Sequence, residues 1–158
     1  MKGSGKDENK RAPMYWSKDG NAEGMCKGPA DMDDFRMKFD SLEEQQEDPD
    51  SIYNYVKQVI RVRNQNPVIA RGTTAYLEQY SGEQCFALTR SYEGSNLLLL
   101  GNTSAEAVSV DLTGLTVGGT TAEELVLLGK LYTGEETAER AGTVVTLPAY
   151  SILILGEE

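Results

Sequence analysis

Hydrophobic positions fall into two regimes along the chain. From Asp48 to Gly72 they recur at helical spacing: Ile52, Val56, Val59 and Ile60 share one face, Arg63 closes it, and Tyr55 and Val62 widen it. Asp48 reads as the cap of this helix and Pro49 as its first residue, since a proline there lacks only an N–H that would have no partner anyway. Asp50 at one end and Lys57, Arg61 and Arg63 toward the other suit the helix dipole. Pro67 stops the helix and pushes Asn66 out of the α region.

After the helix the period shortens to two. Thr73–Tyr80, Gln84–Ser91, Asn96–Leu100, Ala105–Leu112, Leu125–Tyr132, Thr143–Leu147 and Ser151–Leu155 read as strands. Turn residues separate them at Ser81-Gly82-Glu83, Tyr92-Glu93-Gly94-Ser95 and Gly101-Asn102-Thr103-Ser104. Asn96–Leu100 reads as a buried run. Short strands joined by turns predict an antiparallel sandwich, and its length suffices for a core of its own. The fold class is therefore mainly β, preceded by a long loop and one helix.

Residues 2–48 lack such a period and are rich in glycine and proline, so they read as loop. A loop this long is usually functional or disordered. Met14, Tyr15, Trp16, Phe35 and Phe39 favour an ordered, functional one. Ser41-Leu42-Glu43-Glu44 has the form of a capping box and predicts one helical turn.

Charge narrows the chemistry. Fifteen basic against twenty-five acidic residues give a net charge of −10. A nucleic-acid partner and an anionic membrane are both disfavoured, and neutral ligands suit the surface. The absence of histidine removes Ser-His-Asp and Cys-His catalysis from this chain, together with histidine metal sites. Cys26 and Cys85 read as two free thiols. No apolar leader follows Met1, and no run is long enough to span a bilayer.

The densest chemistry lies in Lys6-Asp7-Glu8-Asn9-Lys10-Arg11-Ala12-Pro13-Met14-Tyr15-Trp16. A carboxylate and a guanidinium four residues apart can grip vicinal sugar hydroxyls, one accepting and the other donating, although charged loops are more often simply solvated. Asp7 and Glu8 resemble an acid/base pair only by adjacency, so no catalytic role is assigned. Asp31, Asp33 and Asp34 lack the spaced ligand pattern of a calcium loop. Tyr76, Tyr80, Tyr92, Tyr132 and Tyr150 offer a glycan platform, against the commoner role of strand tyrosines in packing.

Taken together, these residues resemble the C-terminal part of an α-amylase superfamily enzyme, glycoside hydrolase family thirteen. The resemblance runs in order through the loop Met1–Ser17, the segment Ser41–Gln45, the helix Ser51–Arg63 with Asn64-Gln65-Asn66-Pro67 and Ala70-Arg71-Gly72, and the close Thr146–Leu155. It implies a barrel remnant over residues 1–72, the end of a (β/α)8 barrel, and a β-sandwich domain C over 73–158. It implies a parent enzyme that is a retaining hydrolase of α-1,4-glucans or maltooligosaccharides. The family's catalytic aspartates and glutamate belong to earlier barrel strands, so this chain carries none and is expected to be inactive alone. It implies that Asp7 and Arg11 hydrogen-bond a glucose unit and that Trp16 supports that wall, chiefly by packing. No cofactor is expected here, and any calcium of the parent would lie elsewhere. The expected partners are the glucan and the catalytic barrel. Without that barrel, the helix face Ile52/Val56/Val59/Ile60 must pack on the sandwich, be covered by a partner chain or stay exposed, and self-association or a folded-back loop is the expected outcome. The parent would be a bacterial-type soluble enzyme, cytoplasmic or secreted. The alternative from another class is a non-catalytic carbohydrate-binding or interaction module.

Overall fold

A computed structural model describes residues 13–19, 26, 38–131 and 137–157. The chain forms two compact units, Met1–Asn54 and Tyr55–Glu158.

In the first unit the described elements are helix α1 (Leu42–Glu47) and the start of α2 (Ile52–Gln65). The capping box forms as the sequence predicts. The Ser41 N–H donates to Glu44 Oε2 at 2.9 Å and the Glu44 N–H donates to Ser41 Oγ at 3.3 Å. The Leu42 and Glu43 N–H groups donate to the carbonyls of Tyr15 and Trp16 at 2.9 and 3.0 Å. All four donors that a helix start leaves without intrahelical partners are thereby satisfied.

The start of α2 differs from the sequence reading. Asp48 ends α1 as its C-cap, and its Oδ1 accepts from the Asp50 N–H at 2.9 Å. Ser51 serves α2 instead: its Oγ accepts from the Asn54 N–H at 3.2 Å and donates to the Gln45 carbonyl at 2.5 Å. The Asn54 amide donates to the carbonyls of Gln45, Gln46 and Asp48, covering the open end of α1. A six-residue helix turning sharply into the next leaves carbonyls to be satisfied, and Ser51 and Asn54 meet that need; Asp48 and Pro49 make the turn between the helices. As the sequence predicts, α2 stops at Gln65 and Asn66 leaves the α region before Pro67; Pro67 then also begins α3 (Pro67–Arg71), at the position where a missing N–H costs least.

The second unit is an all-antiparallel β structure. Strands β1 (Thr73–Tyr76), β2 (Cys85–Tyr92), β3 (Ser95–Asn102), β7 (Val126–Leu131) and β10 (Ile152–Gly156) form one sheet in the order β1-β2-β3-β10-β7. Strands β4 (Val108–Asp111), β8 (Glu139–Ala141) and β9 (Val144–Leu147) form a second, in the order β4-β9-β8. A small hairpin pairs β5 (Thr116–Val117) with β6 (Thr120–Thr121). The predicted strand Thr73–Tyr80 is shorter than expected, because Glu78–Tyr80 winds into a 3₁₀ turn. The β5–β6 hairpin and β8 have no counterpart among the predicted strands: each strand has only two or three residues, too few to show a period. Glu93 and Gly94 both have positive φ, the geometry of the tight turn that joins β2 to β3.

The five-stranded sheet carries apolar residues on both faces. One face contributes Ala87, Leu98, Leu100, Leu153 and Leu155 to the main core with Val110, Leu112, Val145 and Leu147. The other contributes Leu97, Leu131 and Ile154, which pack with Val62 of α2 and Val68 of α3. This double burial is why β3 and β10 read as near-continuous apolar runs rather than alternating ones. Gly129 lets α2 approach, because a Cβ there would stand 3.1 Å from a Val62 methyl.

The packed stripe of α2 differs from the predicted one. Tyr55, Val59 and Val62 pack toward the sheet, whereas Ile52, Val56 and Ile60 are 77%, 46% and 52% exposed. The sequence pattern averages two adjacent faces into one, and of the four residues assigned to that face only Val59 joins the core.

Asn102 ties the end of β3 to the connection before β10. Its buried side-chain amide donates to the carbonyls of Leu147, Pro148 and Glu106, while Oδ1 accepts from the Ser104 N–H. No buried side-chain polar atom among the described residues lacks a partner.

Two outcomes follow for stability. Leu100→Ala should cost about 2–5 kcal/mol in urea denaturation, the range for a fully buried leucine. Asn102→Ala should cost about 1–3 kcal/mol for the carbonyls it strands, whereas truncating the exposed Ile60 of α2 should leave the midpoint nearly unchanged.

Candidate functional site

Asp7 and Arg11 lie outside the described residues, as do Asp31, Asp33 and Asp34. Trp16 is described. Its backbone is fixed by the bond its carbonyl accepts from Glu43, and Tyr15 beside it donates its hydroxyl to the Lys18 carbonyl at 3.0 Å. The Trp16 side chain is half exposed. A short helix thus holds the segment by its carbonyls and leaves the aromatic ring turned in part to solvent.

Glu44 is the electrostatic anchor of this corner. Hydrogen bonds from the Ser41 hydroxyl and N–H, helped by the charge of Lys18, hold its pKa below the ordinary glutamate value. Asp111 and Glu124 are lowered likewise by the hydroxyl and N–H of Thr113 and of Thr121, with Thr143 adding a further hydroxyl at Asp111. All three displacements stabilise the charged form. A general acid at neutral pH needs the opposite displacement, so these three carboxylates serve turns and caps.

The tyrosines do not form one platform. Tyr80 packs against the main core and donates its hydroxyl to the Thr113 carbonyl at 3.2 Å. Tyr92 packs against the helix-side core, with the Arg71 guanidinium 6.0 Å from its ring centre. Tyr132 lies outside the described residues. Tyr76 and Tyr150 are exposed. Tyr150 has a positive φ, and its N–H donates to the Ser104 carbonyl in the turn before β10.

Tyr76 borders a groove of about 740 Å³ on the second unit. One wall is Tyr76 and the 3₁₀ turn with Glu78 and Gln79; the other is Gly114 and Leu115 before β5 with Thr116 at its start. Leu77 and Tyr80 pack against the core, which leaves Glu78 and Gln79 exposed. The Tyr80–Thr113 bond spans from the turn to the β4–β5 connection. Sequence pattern points to Tyr76 but not to its companions, because Glu78 and Gln79 fall within the predicted strand and the opposite wall lies far along the chain in a loop. Among the described residues no cluster of three or more His, Cys, Asp or Glu side chains is arranged to hold a metal ion. Cys26 and Cys85 are both free thiols.

No protein-family model matches the chain. Solved structures do. Amy13B of Eubacterium rectale matches all of this chain at 39% identity with a TM-score of 0.86, over 29% of its own length. The α-amylase from H. orenii matches 91% of this chain at 24% identity and a TM-score of 0.68, over 28% of its own length. The trehalulose synthase MutB from Pseudomonas mesoacidophila MX-45 matches 73% at 22% identity and a TM-score of 0.56, over 19% of its length; at these two identities the likeness is one of fold. The structural relatives are enzymes of the α-amylase family, glycoside hydrolase family thirteen, and the mainly antiparallel β architecture is that of their C-domain β-sandwich. The chain spans less than a third of the length of each of these structures.

The Glu44 corner gives a pH test. Its folded-state pKa is lowered, so its contribution is complete above the unfolded value and is lost as pH falls through the folded one. The protection of the Leu42–Glu44 amides, meaning their exchange rate set against that of an unstructured chain at the same pH, should fall toward the acid end when followed by NMR from about pH 6 to pH 2. In Glu44→Gln that acid-dependent step should be missing.

Proposed function

We propose that the chain is the C-terminal region of a retaining glycoside hydrolase acting on α-1,4-glucans or maltooligosaccharides. In this reading residues 73–158 are domain C and residues 1–72 complete the (β/α)8 barrel. The observation that carries it is the match to Amy13B of Eubacterium rectale over the whole of this chain at 39% identity. The chain itself is a structural part of that enzyme rather than its catalytic part. Among the described residues the carboxylates with displaced pKa values, Glu44, Asp111 and Glu124, are bonded into caps and turns, and the catalytic carboxylates are assigned to the remainder of the parent.

The exposed row Ile52, Val56 and Ile60 supports this division of labour. Three large aliphatic side chains at i, i+4 and i+8 form a stripe that a globular protein normally covers. The catalytic barrel is the partner that suits it. We assign Asp7 and Arg11 to hydrogen bonds with a glucose unit in the parent's cleft, and Trp16 to the support of that wall by packing.

The purified chain should release no reducing sugar from maltoheptaose, whereas the same chain joined to the catalytic part should. Measurable turnover by the chain alone would sink this reading. The covered stripe has its own probe. Val56→Asp in the joined enzyme should lower its thermal midpoint, while the stability of the isolated chain should change by no more than about 0.5 kcal/mol, as for other exposed substitutions.

A further inference from the structure

We propose that the groove between Tyr76 and Thr116 is a glucan-binding site, built from residues other than those of the Asp7/Arg11 loop. The ligand class, a short α-linked glucan, rests on the hydrolase reading above; the site itself rests on geometry.

Four observations carry it. The groove, at about 740 Å³, is open to solvent rather than enclosed, so it offers one face to a ligand and does not engulf it. Its aromatic residue is displayed rather than packed: Tyr76 ends an edge strand with 58% of its surface exposed. An aromatic face set in solvent suits the apolar C–H face of a hexose ring. The polar groups then complement the hydroxyls at the ring's edge. Glu78 accepts, while Gln79 and Thr116 both donate and accept, which matches hydroxyls that do both. Finally, the walls are built in advance. The Leu77 N–H donates to the Ala87 carbonyl at 3.0 Å and the Tyr80 N–H to the Leu77 carbonyl at 3.1 Å. The Tyr80 hydroxyl holds Thr113, and Leu115 is buried with its N–H on the Leu112 carbonyl at 3.0 Å. A ligand entering this groove has little ordering left to impose. The Glu78 carboxylate and the net charge of −10 disfavour phosphorylated or acidic ligands.

The test is an NMR titration of the 158-residue chain with maltoheptaose, with cellohexaose as the linkage control. Saturable shifts at the amides of Tyr76, Gln79 and Thr116 with maltoheptaose are expected. Tyr76→Ala should weaken binding roughly tenfold, the scale of one lost aromatic contact, with an unchanged thermal midpoint because the ring is exposed. Gln79→Ala, on the side of the turn away from the core, should weaken it severalfold. The proposal is overturned by any of four results: no saturable shift, shifts confined to residues 7–16, equal response to cellohexaose, or unchanged binding in both variants. Each of those would leave the hydrolase reading standing, since that reading turns on turnover by the joined enzyme. Groove shifts that grow with protein concentration in the absence of sugar would also overturn it, by assigning the groove to a second copy of this chain.

Discussion

Burial of the five-stranded sheet on both faces is the constraint on which the second unit depends. Leu98, Leu100, Leu153 and Leu155 point into the core shared with β4 and β9, while Leu97 and Ile154 point toward α2 and α3. Each buried aliphatic side chain contributes about 1.5–3 kcal/mol. Two adjacent central strands, β3 and β10, each supply residues to both cores. The two cores therefore cannot form independently: a shift of one residue in the pairing of β3 with β10 would exchange the faces of every leucine at once. Small residues make the arrangement possible. Gly101 faces the Phe86 ring across the strand pair, at a place where even a Cβ would collide with it, and Gly129 leaves room for Val62.

Where the sequence speaks clearly, it does so through residues that act over short distances. The capping box at Ser41 and Glu44, the Glu93-Gly94 turn and the apolar runs of β3 and β10 are all readable, because each is decided by its own few residues. The start of α2 is not, because Asp48 and Pro49 are as suitable for a turn as for a cap. Asn54 and Ser51 make the choice between them, through bonds that reach back to the end of α1. The α2 stripe misleads because Ile52 and Val56 have the right spacing, and spacing does not say which of two apolar faces meets a sheet.

The candidate sites divide in the same way. Trp16 stands out in the sequence together with the Asp7/Arg11 loop, and what the structure adds is that its carbonyl belongs to the start of α1. The groove at Tyr76 is legible only in its single exposed aromatic. Its other wall comes from the β4–β5 connection, and pattern along the chain carries no information about such a meeting. The tyrosines show the limit of composition most plainly. Tyr80 and Tyr92 are occupied by packing and by one polar contact each, Tyr76 and Tyr150 face solvent, and nothing in the residue type separates the two pairs.

Trp16 is the chain's one tryptophan and belongs to the first compact unit, while most of the eight tyrosines belong to the second. Its ring is half exposed, yet its carbonyl is tied to α1. The indole therefore gives the first unit an optical signal of its own. Emission excited at the red edge follows the Trp16 corner alone, and tyrosine absorbance follows chiefly the sandwich. Any difference between the two melting curves measures directly how far the units fold as separate cooperative bodies.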